Sequence, residues 1–292
     1  ILDKEQRVIA VLAGTPTDVC WPSVLKNSNH ALQDALEQGL QDGTFSSTEM
    51  SHRRGEFYLL VDGISYGGGQ KKPGNLKLTR KEEGLMDGLK NLPCIRRIAG
   101  FQDACFALYA PKLYVQYRTL LLKLYDREPG LRPNFPNISI YPAFTLNLGP
   151  NTVTLDHTDK GNVAYGWCAI TALGEYNPDL GGHLILFDLG LVIRFPPGST
   201  ALIPSGTFRH GNTPIAGDKS YRMSMTQYCA GGLFRWVKYG FRTAKALIED
   251  EGKSSKAAID GTISNRVAEA LGLFSMFDEL DKDRADILRS SK

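Results

Sequence analysis

The sequence predicts an α+β protein whose second half is an antiparallel β-sandwich or barrel, with helices before and after it. Three observations carry this. From Phe135 to Tyr228, short apolar and β-branched runs (SIYPAFTLNLG, NTVTLD, YGWCAITAL, GHLILFD, LVIRFP, STALIPS, SYRMSMTQY) follow one another with Gly, Pro, Asn and Asp between them. Upstream, DACFALYAPKLYVQYRTLLLKLYDR places apolar residues at helical spacing, and downstream TISNRVAEALGLFSMFDELDKDRADILR reads as an amphipathic helix pair. No segment repeats at a fixed period, which excludes a solenoid or propeller.

Taken in order, RVIAVLAG is strand-sized, and TPTDVCWPS is turn-rich. A helix is expected near Ser28 to Gln41, where Ala31, Leu32, Ala35, Leu36 and Leu40 share a face and Ser28 or Asn29 is the candidate cap. EFYLLVD (56–62) reads as a strand running into GISYGGGQKKPGNLKLTRK, whose glycines and proline speak for a basic loop. The helix from Asp103 to Arg127 is kinked or restarted at Pro111. Its tyrosines, Tyr109, Tyr114, Tyr117 and Tyr125, are expected to pack in the core. After GGLFRWVKYGFRT the chain turns helical and polar.

Composition narrows the function classes. Of 292 residues 42% are hydrophobic and 22% charged, the balance of an ordinary soluble chain, and no apolar run approaches the ~18 residues of a membrane span. The chain opens ILDKEQ, without the pattern of a secretory signal. Five cysteines, Cys20, Cys94, Cys105, Cys168 and Cys229, are scattered with no CxxC pair, which suits a reducing compartment, so the acceptor-like Asn137-Ile138-Ser139 is discounted. The net charge of +3 hides an asymmetry. Residues 52 to 127 hold fourteen Lys or Arg against seven Asp or Glu, whereas residues 245 to 292 hold eight against ten. A polyanion would meet one side of this protein, although Lys-rich helices often produce the same imbalance.

Two motif matches fail on context. Gly63-Ile64-Ser65-Tyr66-Gly67 follows a strand, but GGQKKPGN forbids the helix a nucleophile elbow needs. Gly252-Lys253-Ser254 resembles the end of a phosphate loop, yet Leu247 stands at its first glycine position. The specific signal is His157-Thr158-Asp159, then His210, then Arg222-Met223-Ser224, all in the β-rich run. In an extended segment residues i and i+2 face the same side, so His157 and Asp159 present a nitrogen and an oxygen to one point. His210 completes a two-histidine, one-carboxylate set that holds one face of an octahedral Fe(II) and leaves positions open for a chelating acid and dioxygen. Zinc accepts the same ligands. Arg222 argues for iron with 2-oxoglutarate, because a guanidinium fork suits a distal carboxylate, and Ser224 points the same way with a hydroxyl. His30, His52 and His183 are expected in structural or surface roles.

The runs TLNLGPNTVTLDHTD, GWCAITALGEYNPDLGGHLILFDLGLVIRFPPGSTALIPSGTFRHGNTPI and SYRMSMTQYCAGGLFRWVKYGFRT together resemble the compact fungal branch of the TET/JBP family of iron- and 2-oxoglutarate-dependent nucleic-acid dioxygenases. With YLLVDGISYGGGQKKPGNL and RIAGFQDACFALYAPKLY the resemblance covers most of residues 56 to 243. It implies a double-stranded β-helix (jelly-roll) core flanked by helices and stepwise oxidation of 5-methylcytosine in DNA to hydroxymethyl, formyl and carboxyl products. It also implies that His157, Asp159 and His210 hold Fe(II), that Arg222 pairs with the far carboxylate of 2-oxoglutarate, and that Ser224 and Asn147 assist there, with O2 as the oxidant.

The target base must be extruded from the duplex to reach such a metal. The loop from Gly67 to Asn75, with Gly68, Gln70, Lys71, Lys72 and Asn75, is the candidate for contacting the DNA. Thr226 and Tyr228 alternate inward after Ser224, so Tyr228 and Asn162 are candidates beside the flipped base. TET-like cytosine recognition uses a carboxylate and an imidazole around these two places, which leaves N6-methyladenine as the rival base. A protein or small-molecule hydroxylase and a non-catalytic DNA-binding module are the competing classes. The expected whole is one catalytic domain (1–134 mixed, 135–243 jelly roll, 244–292 helical), monomeric, nuclear, without a membrane partner and acting on double-stranded DNA.

Overall fold

The alternating runs of the second half form two facing antiparallel sheets in the computed structural model, which describes residues 1–290. The large sheet runs, edge to edge, β1 (Val11–Gly14), β10 (Thr200–Ile203), β7 (Cys168–Glu175), β12 (Tyr221–Tyr228), β6 (Ala143–Gly149), β4 (Tyr58–Ser65) and β5 (Gly74–Asn75). The small sheet is β11 (His210–Asn212), β8 (Leu184–Leu186) and β9 (Leu191–Ile193). A separate hairpin joins β2 (Ser51–His52) to β3 (Gly55–Glu56).

From β6 onward the chain passes alternately between the sheets. It leaves β6 for an extended segment that bridges His157 to His210 of β11, returns in β7, crosses to β8 and β9, returns in β10, crosses to β11 and ends in β12. That winding is a double-stranded β-helix, as the resemblance implied. The run NTVTLD is not a regular strand. It is held by isolated bridges, Asn151 to Arg222 and, just beyond it, His157 to His210.

The helices are α1 (Trp21–Gln41), α2 (Arg80–Lys90), α3 (Pro93–Tyr109), α4 (Pro111–Arg127), α5 (Gly231–Lys238), α6 (Ala244–Asp260), α7 (Ile263–Gly272) and α8 (Leu280–Ser290). Of these, α1 to α5 pack around the outer face of the large sheet, and α6 to α8 follow at the C-terminal end. Period-two alternation decides which sheet residues meet the helices. Phe144, Leu146 and Leu148 of β6, Leu173 of β7 and Met223 and Met225 of β12 pack with Leu32, Ala35, Ile95, Ile98 and Ala99 of α1 and α3. Each buried aliphatic or aromatic side chain contributes about 1.5–3 kcal/mol. The space between the sheets holds a smaller apolar cluster of Ala172, Leu184, Leu186, Phe195, Ala201 and Ile203. Tyr117, as expected, is a core residue, buried against Phe106 and Phe234.

Several element boundaries differ from the sequence expectation. Helix α1 starts at Trp21, with Pro22 in its first turn, so Ser28 and Asn29 are not caps. Both are buried mid-helix. Ser28 Oγ donates to Val24 O, while the Asn29 amide clamps the backbone of Gly174 in β7 through both of its ends (3.2 and 2.9 Å). The basic run contains a helix after all, because Thr79 and Glu82 form a capping box that starts α2. The Asp103–Arg127 helix is two helices, α3 beginning earlier at Pro93 and breaking at Ala110 before Pro111 starts α4. Ser65 ends a strand that turns back into β5 and meets no helix. Among the described residues, no helix is long and apolar enough to cross a membrane.

Candidate metal centre and substrate cavity

At one end of the jelly roll, His157, Asp159 and His210 converge. One ligand atom from each lies within 4.8 Å of the others, Asp159 Oδ1 being 3.7 Å from His157 Nε2 and Asp159 Oδ2 3.9 Å from His210 Nε2. Backbone pairing sets this geometry. His157 and His210 exchange N–H to O bonds at 3.1 and 2.9 Å, and Asp159 N donates to Ser205 O at 2.9 Å. Each imidazole is also oriented from behind: Nδ1 of His157 lies 2.7 Å from Leu155 O, and Nδ1 of His210 lies 2.9 Å from Phe208 O. With Nδ1–H donating to a carbonyl, the Nε2 lone pair of each ring is free to ligate. Burial, followed by the facing His210 ring, lowers the affinity of His157 for a proton and keeps it in the ligating form.

Inner-face residues of β12 continue the site. Arg222 is 1% exposed. Its Nη1 donates to Thr152 O at 2.6 Å, yet its Nε has no partner, and no ion pair reaches it among the described residues. Beside it, Asn147 Nδ2 donates to Ser224 Oγ at 2.8 Å across the β6–β12 register, leaving Asn147 Oδ1 without a partner; Thr152 Oγ1 is also orphaned. Burial depresses the guanidinium pKa, offset in part by the neighbouring Tyr176 hydroxyl. A buried cation with an unsatisfied donor and no acid is costly unless an anion completes it. This donor set fits a small dicarboxylate, and the two-histidine, one-carboxylate group fits an Fe(II) with open positions. Zinc accepts the same three ligands, and the buried Arg222 beside them supplies the carboxylate anchor that a 2-oxo acid on iron needs.

Next to Asp159 opens a cavity of about 360 Å³, lined by Arg53, Arg54, Lys160, Asn162, Thr226 and Tyr228 among others. The three residues expected beside a base, Asn162, Thr226 and Tyr228, therefore share one wall system with a metal ligand. Asn162 Nδ2 donates to Ser205 Oγ at 3.1 Å, and Tyr228 accepts from Thr145 Oγ1 at 3.3 Å. Sequence reasoning missed Arg53, Arg54, Lys160, Thr152, Tyr176 and Ser205. Thr152 and Tyr176 carried no local signal, whereas Lys160 directly follows Asp159 and was readable.

The basic loop closes the β4–β5 hairpin, with Ile64 opposite Asn75 and Ser65 opposite Gly74. Gly68, Gln70, Lys71 and Lys72 are exposed at its tip, where Gly68 and Gly69 take φ of +55° and +88°. Gln70 caps Gly67 N–H with its side-chain oxygen at 2.9 Å, which leaves its NH2 outward. Asn75 differs from the expectation of a DNA contact: its amide is spent inside the protein, donating to Gly130 O and accepting from Arg132 N. Helix α5 stands between the residue that leads into the loop and the segment that lines the cavity. Tyr66 packs on Gly232 and Trp236 of α5, and Gly231 N donates to Gly161 O, next to Asn162. His183 is structural, bonded to Thr213, and His30 is exposed.

Fold and site together define a jelly-roll protein in which two histidines and one carboxylate converge beside a buried arginine that has no acidic partner among the described residues. No family model matches the chain, and no curated protein does. Solved structures similar to it include NgTET1 in complex with 5mC DNA, at 14% identity over 76% of this chain and 72% of that one, TM-score 0.49. A 2OG-Fe(II) oxygenase-family oxidoreductase from Burkholderia pseudomallei is similar at 15% identity over 58% of this chain and 66% of that one, TM-score 0.30. A prolyl-4-hydroxylase from Pseudomonas putida is similar at 12% identity over 76% and 92%, TM-score 0.28. At such distances the functional reading stands on the site itself.

Proposed function

We propose that the chain is an Fe(II)- and 2-oxoglutarate-dependent dioxygenase that oxidises methylated bases in double-stranded DNA, chiefly 5-methylcytosine to its hydroxymethyl, formyl and carboxyl forms. The observation that carries it is the pairing of the converged His157, Asp159 and His210 with a buried Arg222 that has no acidic partner among the described residues. Iron and the oxo acid, when bound with O2, supply an oxidant for a methyl C–H bond: one oxygen atom goes to the methyl carbon and the other to succinate, as the oxo acid loses CO2. The protein's part is to hold and orient. His157, Asp159 and His210 keep the metal, Arg222 anchors the distal carboxylate, and Ser224 and Asn147 fix its surroundings.

DNA as the substrate is supported by the cavity beside Asp159, by the basic tip at Gln70, Lys71 and Lys72, and by the surplus of positive charge in residues 52 to 127. The base would enter by flipping, with Asn162, Thr226 and Tyr228 around it. The same reading takes the chain as one catalytic domain, monomeric and nuclear. Demethylation of N6-methyladenine is the rival. One observation favours it: apart from Asp159, the described residues lining the cavity include neither a carboxylate nor an imidazole, the pair that TET-like cytosine recognition uses. A protein or small-molecule hydroxylase would leave the basic surface without a role.

The test is mass spectrometry of nucleosides after incubation with Fe(II), 2-oxoglutarate and duplexes carrying either base. Oxidised cytosines are the expected outcome. Loss of N6-methyladenine alone would select the rival, and succinate with neither base altered would reject DNA as the substrate.

A further inference from the structure

The hairpin of β2 and β3 ends in a two-residue turn, Arg53-Arg54, and is bolted to the metal-bearing segment through its main chain. Leu155 N donates to Arg54 O at 2.8 Å. Gly55 lies so close to Val153 O that a Cβ there would come within 2.4 Å of it, at a φ of +150°. His52 stiffens the turn from behind. Its Nδ1 accepts from Arg54 N at 3.3 Å, its Nε2 faces Phe57 O at 3.1 Å, and its ring stands edge-on to Phe57. Leu155 is also the residue whose carbonyl orients His157, so the turn and the metal centre are fixed by the same short stretch.

The Arg54 side chain is half-buried and lines the cavity with Asp159, Asn162, Thr226 and Tyr228. Among the described residues its guanidinium has no hydrogen-bond or ion-pair partner. Arg53, Arg54 and Lys160 bring three cations to a cavity in which Asp159, the one acid among the described residues lining it, belongs to the metal group. The main chain that carries Arg54 is fixed, and its five N–H donors, committed to no protein group among the described residues, stand at the cavity wall available to a ligand.

We infer that Arg54 reads the target base, donating a two-pronged pair of hydrogen bonds to adjacent acceptors on its ring edge. This rests on the proposed oxidation of a flipped base and names the group that selects it. Cytosine carries O2 and N3 side by side, both acceptors, on the part of the ring away from the 5-methyl group. The fork of a guanidinium matches such a pair. N6-methyladenine offers N1 beside its own N–H donor, so one prong would face a donor. Arg54 therefore favours the pyrimidine, and Arg53, exposed at the rim, is left to meet the backbone.

The experiment compares the wild-type chain with Arg54→Ala and Arg54→Lys on duplexes carrying 5-methylcytosine or N6-methyladenine, reading oxidised nucleosides and the salt dependence of duplex binding. Melting temperatures check folding, and the main-chain anchoring of the turn survives both changes. Arg54→Ala is expected to lower kcat/KM on 5-methylcytosine about 10- to 100-fold, to shift preference away from the pyrimidine, and to leave the salt slope unchanged. Arg54→Lys keeps the charge without the fork and is expected to recover only a small part. Unchanged 5-methylcytosine turnover would overturn the assignment. Equal losses on both bases with a salt slope reduced by about 1 would overturn it too, showing a phosphate contact instead. If the wild type acts only on N6-methyladenine and Arg54→Ala keeps that activity, this inference fails while DNA oxidation stands. If the wild type alters neither base, the parent reading fails and takes this one with it.

Discussion

Two faces of one strand, β12, divide the labour of this molecule. Outward, Met223 and Met225 are fully buried among the helices, and Gln227 donates to Ala99 O of α3. Inward, Arg222, Ser224, Thr226 and Tyr228 are polar, and around Arg222 three buried atoms lack partners: its own Nε, Asn147 Oδ1 and Thr152 Oγ1. The backbone and register are shared, so the contrast comes from side-chain alternation alone. The outward face leaves one such atom, Gln227 Oε1, within packed apolar surface; the inward face gathers three around a buried cation, which costs stability unless a ligand completes it.

The sharpest way to break that contrast is at the metal. Asp159→Ala is expected to abolish succinate formation while leaving duplex affinity nearly intact, and wild-type turnover would remove the metal assignment. Next, Arg222→Met should raise the 2-oxoglutarate requirement at least about 30-fold, since truncating one side of a buried charge pair costs about 2–5 kcal/mol. The same variant should leave the melting temperature of the unliganded protein unchanged or higher, because a buried unpaired cation is removed. A large drop in melting temperature with unchanged cosubstrate dependence would place Arg222 on the stabilising side. On the outer face the signs reverse. Met225→Ala should cost about 2–5 kcal/mol of stability in chemical denaturation and leave the KM for 2-oxoglutarate as it was. A shift in that KM would show that the two faces are coupled. The smallest effect is expected at the loop, where Lys71→Ala and Lys72→Ala should each reduce the salt slope of duplex binding by about 1, the change expected when one phosphate is no longer neutralised. An unchanged slope would make the loop a plain surface turn.

The same contrast explains what the sequence disclosed. His157 and Asp159, like Arg222, Ser224, Thr226 and Tyr228, obey period two within a few residues, so their common direction was readable locally. His210 was readable by chemistry, as the third ligand in one β-rich run. The Arg53-Arg54 turn was not, because its place beside the metal depends on a bond from Leu155 N to Arg54 O between segments far apart in the chain. Thr152 and Tyr176 are near Arg222 for the same reason. The start of α1 is masked in the sequence because Pro22, a turn former elsewhere, stands in a first helical turn, and the start of α2 because its Thr79 and Glu82 capping box follows directly on a glycine-rich run.

The most direct measurement is an anaerobic titration of the protein with Fe(II) and 2-oxoglutarate, following the visible charge-transfer absorption of a 2-oxo acid chelated to Fe(II). It reads the site without any turnover. The band should appear only when both are present, vanish in Asp159→Ala, and need far more 2-oxoglutarate in Arg222→Met. No band in the wild type, or one indifferent to both substitutions, would contradict the assignment of His157, Asp159, His210 and Arg222 to one metal and cosubstrate site.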